Sequence, residues 1–142
     1  MSIRTARPED RPAIERLQQR LPEPAPELLA PVAGGKLLVS VAEAGGRESV
    51  VGYLLWFPGE PVYVAEMVVH PDVRNEGRGT RLFRAVFDRL ESGTAVDLRV
   101  AAANEAAIRL YHRLGFERVE RLADAYESGD GYLMRYVVEG TD

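Results

Sequence analysis

Val68-Val69-His70-Pro71-Asp72-Val73-Arg74-Asn75-Glu76-Gly77-Arg78-Gly79-Thr80-Arg81-Leu82-Phe83 is the run whose reading decides the fold. The β-rich residues 62–69 read as a strand that His70-Pro71-Asp72 ends, and Leu82, Phe83, Val86, Phe87 and Leu90 then recur with the helical period. Strand, glycine-bearing loop and helix follow in series. Gly77 and Gly79, spaced by one residue at the helix start, let the backbone approach a ligand closely. The first N–H groups of a helix lack intrahelical acceptors and its dipole is positive there, so the run reads as an anion cradle. Arg74, Arg78 and Arg81 set guanidinium groups beside it. From the glycines alone, a tight turn carrying solvated arginines is an equal alternative. The run has neither the G-x-x-x-x-G-K-S/T of a P-loop nor G-x-G-x-x-G, which counts against ATP and dinucleotide sites.

Outward from this loop, the spacing predicts a first strand over 3–6 and a helix opened by Pro8-Glu9-Asp10 and carried by Ile14, Leu17 and Leu21. Pro22, Pro24 and Pro26 break that helix, and 27–32 is expected to form a short second one within a mobile, substrate-facing segment. Residues 36–44 and 49–57 flank Gly45-Gly46 as an antiparallel hairpin. Beyond the glycine loop, 95–100 reads as a strand, 105–114 as a helix capped by Asn104 and stopped by Gly115, and 116–122 and 132–138 as the closing strands. Ser128-Gly129-Asp130-Gly131 is expected to be flexible. The sum is a single mixed α/β domain over 1–142 with a largely antiparallel sheet flanked by helices.

Composition bounds what such a domain does. With 142 residues, 46% hydrophobic and 28% charged, the chain is ordinary globular material with room for one core. Its 18 basic and 22 acidic side chains leave a net charge of -4, which argues against a nucleic-acid binder held by counterion release. Lys36 is the only lysine. No cysteine is present, so thiolate metal sites and cysteine nucleophiles are excluded, and His70 and His112 have no metal-ligand spacing. We expect no metal. The first residues lack an apolar signal core and no run is long enough to span a membrane, so a cytoplasmic location is the expectation.

A second motif stands downstream: Asn104-Glu105-Ala106-Ala107-Ile108-Arg109-Leu110-Tyr111-His112-Arg113-Leu114-Gly115-Phe116. It resembles the N-x-x-A-x-x-L-Y-x-x-x-G-F segment of the Gcn5-related N-acetyltransferases, and Arg74-Asn75-Glu76-Gly77-Arg78-Gly79 resembles that family's R/Q-x-x-G-x-G/A motif. The two motifs in order, with the first strand and helix and the closing hairpin, extend the resemblance over essentially the whole chain. The resemblance implies a sheet splayed between its fourth and fifth strands and acetyl-CoA as the cosubstrate. Its pantetheine would lie along Met67-Val68-Val69, as a neighbouring strand would. Its pyrophosphate would rest on the loop of Arg74, Asn75, Glu76, Gly77, Arg78, Gly79 and Thr80, with Asn104 capping the last helix and contacting CoA. An amine attacks the thioester directly and a CoA thiolate departs. Tyr111 is implied as the proton donor to that thiolate, since a phenol of pKa about 10 stays protonated where a thiol of pKa about 8.5 ionises.

The general base departs from the family pattern. Tyr63 stands where the histone-acetylating branch carries a glutamate, and Arg99 where members acting on ribosomal-protein N-termini carry one. Glu66 is the substitute on the right strand, although alternation puts it on the opposite face from Met67 and Val69. Neutralising an amine of pKa about 10.4 at pH 7 costs roughly 4.6 kcal/mol, against about 1–1.4 kcal/mol for an α-amine near 7.7–8.0. A weakly basic acceptor can therefore manage with water as the relay. Glu76 stands where the family loop is often basic or small, which is expected to weaken phosphate affinity. The acceptor is a small-molecule or peptide amine, or a protein lysine. Apolar or edge surfaces near the final strands are compatible with a homodimer, and no nucleic-acid or membrane partner is expected. A noncatalytic acyl-CoA sensor is the competing reading.

Overall fold

The computed structural model describes residues 2–139, in which ten elements follow one another along the chain. They are β1 (Ser2–Thr5), α1 (Arg11–Gln18), β2 (Lys36–Ala44), β3 (Arg47–Phe57), β4 (Val62–Val69), α2 (Arg78–Phe87), β5 (Ala95–Ala101), α3 (Glu105–Leu114), β6 (Glu117–Tyr126) and β7 (Gly129–Val137). The seven strands form one sheet in the order β1-β2-β3-β4-β5-β7-β6. The mixed α/β class and the mainly antiparallel sheet expected from the pattern are both present: β4 and β5 run parallel, while β1–β2, β2–β3, β5–β7 and β6–β7 are antiparallel. The parallel ladder ends at Val64↔Leu98, although β4 continues to Val69 and β5 to Ala101. The chain divides into two compact units, Met1–Phe57 with Glu66–Arg89, and Pro58–Ala65 with Leu90–Asp142.

In the first unit, α1 and α2 both pack on β3. Residues 52–56 of that strand are buried without interruption, and an apolar run is what a strand covered on both faces requires. Ile14 and Leu17 on α1, and Leu82, Phe83 and Val86 on α2, supply the helical side of this core. The β2–β3 register closes at Ala44↔Arg47, so β3 begins two residues before the expected 49 and Gly45-Gly46 alone forms the loop. Helix α1 stops at Gln18, short of the expected Leu21, whose N–H bonds the Gln18 carbonyl. The short helix expected over 27–32 is replaced by two single 3-10 turns, Pro26–Leu29 and Pro31–Ala33. Pro31 has no N–H to continue a helix, and it holds Ala30 extended at ψ 139°.

In the second unit, Val96, Leu98 and Val100 of β5, Ile108 of α3, and Phe116, Met134 and Val138 make the buried core. Phe116 stacks edge-on against Tyr111 at 5.9 Å between ring centres and tilts against Tyr136 at 5.7 Å. Asp97 is buried and takes a bidentate bond from Arg135, its partner in the β5–β7 register, at 2.6 and 2.9 Å. The strands expected over 116–122 and 132–138 run over 117–126 and 129–137, so Ser128-Gly129-Asp130-Gly131 belongs to a tight hairpin rather than a flexible segment. Asp130 holds that turn: one oxygen accepts from the Arg121 guanidinium and the other from the Asp124 N–H at 3.0 Å. Strand β6 lies at the sheet edge, mostly exposed, with Val119 at 52%.

Candidate active site

The glycine loop begins where β4 ends. The His70 N–H bonds the Val51 carbonyl at 2.7 Å, and His70 Nδ1 accepts from the Asp72 N–H at 3.1 Å at the start of the single turn Pro71–Val73. The histidine thus does the work of a cap, which fits its reading as a strand-end residue. Asn75 and Gly77 then adopt left-handed conformations, at φ 66° and 79°, on either side of Glu76. Asparagine and glycine are the residues that reach this region at least cost. The double reversal turns the chain into α2 with Gly77 as the N-terminal cap, its carbonyl accepting the Arg81 N–H at 3.0 Å. Among the described residues, the backbone N–H groups of Asn75, Glu76, Gly77, Arg78, Gly79 and Thr80 have no protein acceptor. Successive N–H groups in such a turn, at the positive end of a helix, form a concave site for an anion.

The arginines divide. Arg81 is exposed and makes no ion pair among the described residues, and Arg74 is exposed with its Nε on the Val69 carbonyl at 3.3 Å. Arg78 is only 6% exposed: its Nη1 donates to Ser40 Oγ at 3.0 Å and to the Val41 carbonyl at 3.4 Å, and its Nε to Glu76 Oε1 at 3.0 Å. Of the three guanidinium groups expected beside the loop, that of Arg78 is therefore taken up by protein acceptors, and those of Arg74 and Arg81 are exposed. Arg78 instead ties α2 to β2, a position no sequence pattern distinguishes from that of its neighbours. The same contact changes the reading of Glu76, whose carboxylate turns to Arg78 and is neutralised there.

Strand β4 alternates in burial: Val62, Val64, Glu66 and Val68 are buried, whereas Tyr63, Ala65, Met67 and Val69 are half-buried. Glu66 accordingly lies on the face opposite Met67 and Val69. It accepts from the Tyr53 hydroxyl at 2.9 Å and from Gln18 Nε2 at 3.1 and 3.2 Å, and Gln18 Nε2 also donates to the Ala25 carbonyl at 2.9 Å. Burial raises the Glu66 carboxyl above its ordinary value, opposed by the bonds from Tyr53 and Gln18. The Tyr53 phenol is pushed well up by its own burial and by Glu66. This connected group was not visible in the sequence, because it joins residues from α1, β3 and β4.

On the second motif, Asn104 Oδ1 accepts the Ala107 N–H at 3.2 Å, the capping bond expected of it. Tyr111 is half-buried on α3, and burial first, then Tyr126, pushes its phenol up to about 12. It is protonated throughout the neutral range and so has a proton to donate there. Among the described residues, no group of three or more His, Asp or Glu side chains is placed to hold a metal ion. No helix among them is long and apolar enough to cross a membrane.

Fold and loop together have the organisation of the Gcn5-related class. The chain matches the model of the acetyltransferase (GNAT) family over residues 4–116 and belongs to that family. A curated relative, N-alpha-acetyltransferase 30 of Schizosaccharomyces pombe, is 33% identical over 82 residues, covering 56% of this chain and 47% of the relative. The chain spans about half or less of the length of the curated relatives it matches. Among solved structures, the ribosomal-protein-S18-alanine N-acetyltransferase from Escherichia coli superposes with a TM-score of 0.82 at 22% identity, covering 99% of this chain and 96% of that one. Arabidopsis thaliana NAA60 in complex with a bisubstrate analogue also gives 0.82 at 22% identity, covering 97% and 99%.

Proposed function

We propose that the chain is one catalytic domain that transfers an acetyl group from acetyl-CoA to a primary amine. The observation that carries this reading is the run of six N–H groups at 75–80 without protein acceptors, in a chain of the acetyltransferase family. In this reading the CoA pyrophosphate takes those N–H groups, Arg74 and Arg81 add charge from outside, and the backbone of Met67-Val68-Val69 runs beside the pantetheine. Asn104 orients α3 and contacts CoA. The amine attacks the thioester carbon, the tetrahedral intermediate collapses, and the C–S bond breaks to leave a CoA thiolate.

Tyr111 acts on that thiolate. Full proton transfer from a phenol near pKa 12 to a thiolate whose acid has pKa about 8.5 is uphill by about 5 kcal/mol. A hydrogen bond to the developing negative charge needs no transfer and still lowers the barrier, and the proton itself follows from solvent. Glu66, expected as the base, has its oxygens already bonded by Tyr53 and Gln18 on the face away from Met67 and Val69. The amine proton therefore goes to water in this mechanism, which favours an acceptor that costs only about 1 kcal/mol to neutralise at working pH. A peptide N-terminal α-amine meets that condition and a lysine does not. The likeness to an N-alpha-acetyltransferase supports the same acceptor class.

The test is CoA release with two versions of one lysine-containing peptide, its N-terminus free or blocked. We expect turnover with the free N-terminus and little with the blocked one. Tyr111→Phe should lower kcat by about tenfold to a hundredfold with the KM for acetyl-CoA little changed. Tight acetyl-CoA binding with no transfer to either peptide, or to a panel of small amines, would show a noncatalytic sensor instead.

A further inference from the structure

The first unit contains a cavity of about 620 Å³, in which the end of β1, the start of α1, the start of β2, the end of β3 and Arg89 after α2 come together. Its rim carries Arg7, Arg11, Lys36 and Arg89, and no acidic residue lines it. Four cations around one cavity stand out in a chain of net charge -4. Arg11 is paired with Glu15 at 3.0 Å and Arg89 bonds the Ala85 carbonyl at 2.7 Å, whereas Arg7 and Lys36 form no ion pair among the described residues. The floor is apolar, built from Ile14, Leu29, Leu37, Leu38 and Trp56. Lys36 lies over the Trp56 ring, 5.9 Å from its centre. Trp56 is 6% exposed, and its indole N–H is buried with no partner among the described residues, a state that native interiors leave rare.

We propose that this cavity binds a small carboxylate with an apolar chain. The size is that of a ligand pocket. The floor calls for a hydrophobic body and the rim for one negative charge, so an inorganic anion would satisfy only half of the lining. A carboxylate oxygen that reached the indole edge, in the plane of the ring, would also give the Trp56 N–H the acceptor it lacks. None of these residues belongs to the proposed acetyl-CoA site, so the inference goes beyond the acetyl-transfer reading and does not depend on it.

Trp56 is the only tryptophan, which makes intrinsic fluorescence a local reporter. Octanoate titrated into the full chain should shift Trp56 emission saturably, with octanol and inorganic phosphate each at least about tenfold weaker. The double substitution Arg7→Met and Lys36→Met, at two exposed side chains, should weaken octanoate about tenfold and leave octanol unchanged. Its melting temperature and its stabilisation by acetyl-CoA should match those of the unsubstituted chain. No saturable shift, equal binding of octanol, phosphate as good as octanoate, or an unaffected double variant would each overturn the proposal.

Discussion

Of the three arginines around the glycine loop, Arg78 alone turns inward, because Ser40 and Glu76 offer its guanidinium acceptors while Arg74 and Arg81 stay in solvent. Glu66 has the corresponding history among the carboxylates. The strand period put it on the far face, and there it meets Tyr53 and Gln18. Its raised pKa has a consequence for stability. A carboxyl raised on folding adds stability fully below its ordinary value of 4.5 and loses that contribution as pH rises through the raised value. Compared with Glu66→Gln, the unsubstituted chain should therefore lose melting temperature progressively as pH climbs from 4.5 into the neutral range. Parallel melting curves of the two proteins across that range would refute the assignment. The Asn104 cap and the turn at Gly77 were legible because local spacing identifies them, whereas Tyr111 was singled out by the family resemblance. The inward turn of Arg78 and the partners of Glu66 were not, because both depend on strands far away in the chain.

Elements were legible where the apolar period was long and badly placed where prolines or turns intervened. Helix α3 was expected over 105–114 and occupies those residues, with Asn104 at one end and Gly115 at the other. Residues 27–32 failed as a helix because Pro31 interrupts the N–H series, and the last hairpin was misplaced because turn-forming residues at 128–131 extend the ladder. The stop at Gly115 makes a stringent test of α3. Its φ is 107°, and an added Cβ would stand 2.9 Å from the Tyr136 ring that packs on Phe116. Gly115→Ala should cost about 2–3 kcal/mol in urea unfolding, from backbone strain and the displaced ring together. A loss below about 0.5 kcal/mol would mean that the ring yields freely and the helix end is loosely held.

At the scale of the whole chain, class was readable and strand order was not: periodicity identifies strands, but nothing local tells β7 to lie between β5 and β6. Net charge was informative in the same coarse way. An acidic protein with one N–H-lined loop should respond to a phosphate ligand of the right shape and ignore polyanions at large. Acetyl-CoA at a hundred times its Kd adds about 2.7 kcal/mol, on the order of 10 °C in melting temperature for a chain of this length. ATP and duplex DNA at the same concentration should move it by less than about 1 °C. Equal shifts from all three would point to charge rather than shape as the basis of recognition.

Lys36, resting over Trp56, is the only side-chain amine in the sequence. Side-chain self-acetylation would have a single address, and modification there would erase one of the four charges on the rim of the Trp56 cavity.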